Sequence, residues 1–435
     1  MKIAVIGSGI AGLSCACQLA RHHRQQVTLF EAADYLGGHT NTVDVDVDGI
    51  NYPVDTGFLV FNHRTYPQLV RLFADLQVPV AASEMSFAVS QGGELEWAGT
   101  NLATVFAQPA NLLRPRFLGM LMDITRFNRA AITAAAGEAA ALSLGDFLDR
   151  NRYSSAFRDW YLLPMASAIW SCPTQAMLDY PFATFARFCH NHGLLQVTDR
   201  PQWYTVRGGA REYVRRMAAG LEDIRLNSPV ALVRRSAAGV LVHCASLGRR
   251  PASVERFDHA VLACHSDQAL TMIETPSAAE RQVLGAIRYQ ANSAVLHTDP
   301  ALLPRRRRVW AAWNYLGGAP SRHAADGRAA HPVAVSYLIN KLQPLPFHSP
   351  LVVTLNPQVA PRNGHLLRQF DYMHPVFDQG AIDAQRRLPQ IQGVDHLWFA
   401  GAWTGYGFHE DGLKSGLAAA AGLADVVAAS SRQAA

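Results

Sequence analysis

The chain has 435 residues, 49% of them hydrophobic and 17% charged, with a formal net charge of +5. That length exceeds one ordinary hydrophobic core, so two domains are expected. The positive charge is almost all arginine, Lys2, Lys341 and Lys414 being the only lysines, and it forms no basic stripe interleaved with aromatic residues, which argues against a nucleic-acid partner.

Residues 2 to 31 carry the strongest local signal. An apolar run from Ile3 to Ile6 leads into Gly7, Gly9 and Gly12 in G-x-G-x-x-G spacing, then a helical pattern opening at Ile10-Ala11, then a strand, VTLFE, closed by Glu31. Gly7 permits the tight turn, Gly9 lets backbone amides approach a pyrophosphate, and Gly12 lets helix and strand pack closely. The helix start offers free N–H groups and a positive dipole end to phosphates. Glu31 can accept both hydroxyls of an adenosine ribose and would repel a 2′-phosphate, which disfavours NADP.

Next comes a predicted hairpin, DVDVDGINYPVD, turning at Asp48-Gly49, in which Asp44, Asp46 and Asp48 read as solvated. Residues from about 96 to 200 are helical in pattern; there His190 and His192, bracketing one residue, should diverge. Alternating β character returns in RLNSPVALVRR, VLVHCAS and FDHAVLAC, and residues 290 to 380 hold SAVLHT, RVWAAWNYL, VAVSYLI and LVVTL. The last segment reads as a strand, HLWFAGA, a glycine-rich turn, and a helix from about Asp411 to Ala428. The expected fold is therefore α/β: a Rossmann-like nucleotide-binding domain from residues 1–95, 203–270 and 381–435, with a discontinuous α+β substrate domain from 96–202 and 271–380. No second G-x-G-x-x-G follows a strand, which favours an enzyme that oxidises its substrate over one fed by NAD(P)H.

Six cysteines without paired or metal-ligand spacing suggest a reducing compartment, and no metal is expected. Met1 runs straight into the first strand, which leaves no room for a signal peptide. The longest apolar stretches, near 102–123 and 416–429, do not read as membrane spans. The expected location is the cytoplasm, with peripheral contact at the inner face of the membrane. Arg305–Arg308 read either as a solvated face or as a contact for anionic headgroups, and 102–123, with Arg114 and Arg116, as a segment that could rest on a bilayer.

These pieces together resemble the flavin-containing amine oxidase superfamily over essentially the whole chain. The matching motifs are the N-terminal fingerprint with Glu31, the paired glycines Gly37-Gly38, Val230 in SPVALV, FDHAVLAC, and FAGAWTGYGFHEDGLKSG. The resemblance implies FAD, held by the fingerprint together with Gly38, His39, Thr40, Gly57, Val230, Gly401, Ala402, Phe408, His409 and Glu410. An arginine usually follows the paired glycines; here His39 stands there. The strings DTGFLVFN, AIWSCP, NHGLLQV, VLACHSDQAL and GFHEDGLKSG resemble more narrowly a bacterial branch of FAD oxidoreductases associated with cyclopropane-fatty-acid-synthase-like methyltransferases and furan fatty acid formation. That narrower resemblance implies an acyl-lipid substrate and such a methyltransferase as partner.

Amine oxidases usually place a lysine near the flavin N5 atom; matching SAVLH to that strand puts His297 there. His297 is accordingly one candidate to take a proton, with a histidine satisfied at a strand end as the other reading. Phe408 falls at one of the family's two aromatic positions before the flavin, and His409 beside it is a candidate for catalysis or for supporting hydrogen bonds. His265 is a further site candidate, Trp170, Trp313 and Tyr337 could line an apolar tunnel, and Asp55 reads as a structural acceptor. Three functions stay open: dehydrogenation of a methylated unsaturated acyl chain toward a conjugated diene, an amine oxidase or carotenoid- or porphyrinogen-type desaturase, and a non-catalytic flavoprotein partner of a lipid methyltransferase.

Overall fold

Strands that are apolar along their whole length must be covered on both faces, and Ile3, Ala4 and Val5 are fully buried. In the computed structural model, which describes residues 1–196, 199–248, 251–317 and 333–433, they lie mid-sheet. Five parallel strands run in the order Asp223–Arg225, Gln26–Phe30, Lys2–Ile6, His259–Leu262 and Leu397–Phe399. Helix Ile10–Cys17 connects the first two in sequence, and helix His409–Gln433 packs across it. Small residues allow that approach: a Cβ on Gly416 would lie 2.1 Å from the Ala11 carbonyl oxygen, and one on Gly12 would lie 1.8 Å from that of Gly7.

The hairpin forms from Thr42–Val47 and Ile50–Asp55, with Asp48 and Gly49 both at positive φ (54° and 76°), the backbone a two-residue turn of this kind requires. The β character after residue 223 includes a strand the sequence reading missed, Ser253–Phe257, which completes an antiparallel set with Val230–Ser236 and Gly239–Cys244.

A seven-stranded sheet makes the second layer, in the order Leu366–Val376, Arg288–His297, Val352–Leu355, Val333–Leu338, Trp313–Gly317, Phe87–Gln91, Leu95–Ala98. The last two strands come from the first 98 residues, so part of the segment assigned by sequence to the nucleotide domain pairs with the other sheet. Helices Pro115–Ala136, Leu163–Trp170 and Phe182–Asn191 fall in the region expected to be helical and surround a phenylalanine core. In it Phe147 stacks on Phe182 at 3.7 Å between ring centroids.

Candidate active site

One continuous cavity of about 1580 Å³ starts at the glycine turn and passes between the two sheets into the helical region. Its first end is backbone. Gly7, Gly9, Ile10 and Ala11 line it, as do Gly38, Gly57, Gly401 and Ala402. Gly9 has no protein atom within 4 Å of where a Cβ would stand, and helix Ile10–Cys17 begins at the cavity without a side-chain cap, which leaves its first N–H groups available to a phosphate. Gly12 does not reach the cavity; it packs against Gly7, as its place in the fingerprint requires.

Glu31 lines the same end and holds the turn, accepting from Ser8 N at 2.9 Å, Ser8 Oγ at 2.5 Å and Ala33 N at 2.9 Å. A carboxylate has further lone pairs for ribose hydroxyls. Val230 lies on the wall beside it. His39 is half-buried on the cavity wall, and its Nε2, itself buried, has no hydrogen-bond partner among the described residues. Burial, reinforced by His374, His265 and His409, pushes its pKa down to about 3. An orphaned imidazole nitrogen at the paired glycines fits a phosphate or ring oxygen of FAD, where the superfamily's arginine would reach.

Farther in, the wall becomes aromatic. Phe408 stacks on Phe188 with centroids 5.0 Å apart and meets Trp170 edge-on at 6.5 Å. Trp313 and Tyr337, 4.9 Å apart and perpendicular, form the facing wall. His409 stacks on Phe58 at 3.8 Å, and its Nε2 lies 2.6 Å from Tyr213 Oη and 3.1 Å from Thr40 Oγ1. Thr40 thus sits behind His409 and does not line the cavity. With Nε2 engaged, Nδ1 of His409 has no partner among the described residues, and burial lowers the ring's pKa to about 3, so it is neutral at pH 7. His265 lines the wall, stacked on Tyr289 at 4.5 Å.

Besides Thr40, two expected site residues are placed otherwise. His297 is fully buried away from the cavity: its Nε2 lies 2.7 Å from Thr354 Oγ1, and its Nδ1 accepts from Asp299 N at 3.1 Å. Strand alternation accounts for this: Leu355 and Tyr337, which line the cavity, lie across the sheet from Ala294 and Leu296, so His297 shares the opposite face with Thr354. Glu410 turns from the cavity and accepts the backbone N–H groups of Gln68 and Leu69, both at 3.0 Å. No lysine takes the vacated role. Lys2 pairs with Glu255, Lys341 with Glu84 at 2.9 Å and Lys414 with Glu410 at 3.4 Å, and none lines the cavity.

Asp55 is the structural acceptor expected, bound by Thr42 Oγ1, by Ala210 N at 2.9 Å and by Gln343 Nε2 at 2.8 Å; burial raises its pKa to about 7. Sequence reasoning missed Phe58, Phe188, His192, Tyr213 and His374. His190 and His192 do diverge, and His192 alone lines the cavity. Phe188 and His192 stand one helical turn apart and stack at 3.9 Å, a spacing the sequence does carry, whereas Phe58, Tyr213 and His374 come from separate elements that no spacing rule links.

A dinucleotide cradle that opens into a largely apolar, aromatic-walled cavity defines a flavin-dependent oxidoreductase. A family model described as flavin-containing amine oxidoreductase matches residues 10–306, and the chain belongs to that family. It is therefore an FAD-dependent enzyme of the amine oxidase and desaturase group. A carotenoid phi-ring synthase of Chlorobaculum tepidum is 32% identical over 164 residues, 37% of this chain; the chain spans 23% of that relative's length. Among solved structures, a CLA-producing fatty acid isomerase from P. acnes superposes with a TM-score of 0.65 at 15% identity, covering 96% of this chain and 97% of that one. Putrescine oxidase bound to putrescine gives 0.66 at 16% identity, covering 98% and 99%. At such identities these two likenesses establish the fold.

Proposed function

We propose that the enzyme dehydrogenates an apolar acyl chain, a methylated unsaturated fatty acyl group carried in a phospholipid, toward a conjugated diene. The observation that carries the reading is the chemistry of the substrate end: aromatic and aliphatic walls with no carboxylate free to hold an ammonium group. Three carboxylates line the described cavity. Glu31 is bound at the glycine turn, Glu84 pairs with Lys341, and Asp267 stands exposed at the start of a helix. An amine substrate would bring a cation with no counter-charge, whereas a hydrocarbon chain loses nothing by leaving water.

When bound, FAD supplies the two-electron acceptor. Phe408, Phe188 and Trp170 hold the chain flat against the cavity wall and keep water out. Loss of a hydride leaves an allylic cation, which is strongly acidic, so a weak base suffices for the accompanying proton. The Nδ1 of neutral His409 is such a base, with Tyr213 and Thr40 fixing the ring through Nε2. One hydride and one proton leave, and one double bond forms.

A second reading, a polyene or other isoprenoid substrate, is favoured by the carotenoid phi-ring synthase relative. Anaerobic mixing of the FAD-loaded enzyme with three candidates separates them: dispersed phospholipid bearing methylated monounsaturated chains, carotenoid precursors, and polyamines. Loss of the oxidised-flavin absorbance with the phospholipid, and a diene in the extract, is the expected result. Bleaching by amines alone would overturn the proposal, and bleaching by carotenoid precursors alone would replace it with the second reading.

A further inference from the structure

Exposed leucine and methionine side chains cost solubility and are normally scattered singly. Of the fifteen large hydrophobic residues exposed among the described residues, five fall between residues 102 and 122, a density no other stretch matches. Leu113 is 87% exposed, Leu102 76% and Met122 67%, with Leu112 and Leu118 beside them. Leu118 and Met122 stand one turn apart on helix Pro115–Ala136, next to Leu121, Ile124 and Thr125, which line the cavity. Leu102 both lines the cavity and is largely exposed, so the mouth opens within this apolar patch.

The patch is also basic. Residues 102–130 carry Arg114, Arg116, Arg126 and Arg129 against a single acid, Asp123, which pairs with Arg126 at 2.9 Å. The run Arg305–Arg308, remote in sequence, is brought to its edge. Buried Glu96 accepts from the backbone N–H of Arg305 at 2.7 Å and pairs with Arg306 at 3.0 Å. The Arg305 guanidinium lies against Gly93, where a Cβ would stand 2.8 Å from its Cζ, and Arg114 donates to the carbonyl of neighbouring Glu94 at 3.3 Å. Apolar side chains ringed by guanidinium groups complement an anionic bilayer: hydrocarbon for the acyl boundary and positive charge for the headgroups.

We propose that this face docks on the surface of an anionic phospholipid bilayer, with the cavity mouth against the leaflet. Docking rests on the surface alone; its use, passing an acyl chain from the leaflet to the flavin without exposure to water, rests on the acyl-chain reading above. The test is co-sedimentation of the FAD-loaded enzyme with vesicles of equal parts phosphatidylcholine and phosphatidylglycerol. The double variant Leu113→Asp/Met122→Asp changes side chains that neither line the cavity nor pack in the core. Its partitioning should fall by about tenfold or more, with flavin absorbance and urea midpoint unchanged. Arg305→Glu/Arg308→Glu should weaken binding to these vesicles and leave weak binding to pure phosphatidylcholine unaltered.

Undiminished partitioning of the leucine and methionine variant, or no partitioning of the wild type, would overturn the proposal. So would a concentration-dependent dimer in sedimentation that the same variant abolishes, since a second copy would then cover the patch. Dispersed substrate tells the two ideas apart. If docking is right and the acyl reading wrong, vesicles bind yet dispersed lipid leaves the flavin oxidised. If the reverse holds, dispersed lipid bleaches the flavin in both proteins and vesicles bind neither.

Discussion

Replacing Glu410 separates a structural carboxylate from a cofactor ligand. Its oxygens accept from Gln68 N and Leu69 N and so cap helix Pro67–Asp75, which has no side-chain cap from Tyr66. Leu69 is fully buried, while Gln68 lies at the surface. In Glu410→Ala the Leu69 N–H loses its acceptor out of reach of solvent, which costs about 1–3 kcal/mol; the Gln68 bond is exchanged for one to water, at about 0.5–1.5 kcal/mol. The ion pair with Lys414, whose side chain is more than half exposed, adds little. Together these give a loss of about 2–4 kcal/mol, and Glu410→Gln, which keeps one acceptor oxygen, should lose about half as much. Urea unfolding at saturating FAD measures the first quantity, and fluorescence titration of the apoprotein with FAD measures affinity separately. The expected result is lower stability with FAD affinity essentially unchanged. Weakened FAD binding with unaltered unfolding would refute the reasoning and return Glu410 to the cofactor.

Gly9 and Gly12 should fail in opposite ways. Gly9→Ala meets no protein atom, so the apoprotein should unfold as the wild type does while FAD affinity falls at least about tenfold through lost pyrophosphate approach; Gly12→Ala, driven into the Gly7 carbonyl, should compromise folding itself. His297→Ala should lower unfolding free energy by about 1–3 kcal/mol, by stranding Asp299 N, while Thr354 Oγ1 keeps its bond to Ser336, and turnover per bound flavin should stay at the wild-type value. Asp55 carries a pH signature. Its folded pKa, about 7, lies above its ordinary value of 3.8, so the folded state holds a proton the unfolded chain has lost between those limits. Its contribution is complete below pH 4 and lost as pH rises through 7, and the stability difference between wild type and Asp55→Asn should decline across that window and level off above it. A flat difference would mean that Asp55 is ionised throughout.

The parts of the site that could be read in the sequence are those whose physical reason is local. The glycine turn, the hairpin at Asp48-Gly49 and the helix starting near residue 410 each depend on residues a few positions apart, and each formed as expected. Gly12 is a case in point: its clash partner, Gly7, is five residues away. His297 failed for the complementary reason. Its orientation is set by pairing with strands Val352–Leu355 and Leu366–Val376, some fifty to seventy residues on, which puts the cavity on the other face of the sheet and Thr354 on the same face as the ring. Glu410 failed because its partners, Gln68 and Leu69, lie more than three hundred residues earlier, where no motif points. The same distance hid the Thr40–Tyr213–His409 group, whose members come from three segments that meet only when the parallel sheet closes. What composition did announce was the shortage of lysine, and the structure gives it force: with all three lysines committed to carboxylates, the cavity has no amine near the flavin, and its chemistry falls to neutral histidine, aromatic rings and the cofactor. Apart from Arg200 on its wall, a cavity so furnished has little with which to fix a charged substrate. On the proposal made above it takes instead an apolar chain placed by shape, and the proposed docking of its basic, apolar rim then follows the same logic, since a chain of that kind is held in a membrane before it is held in a protein.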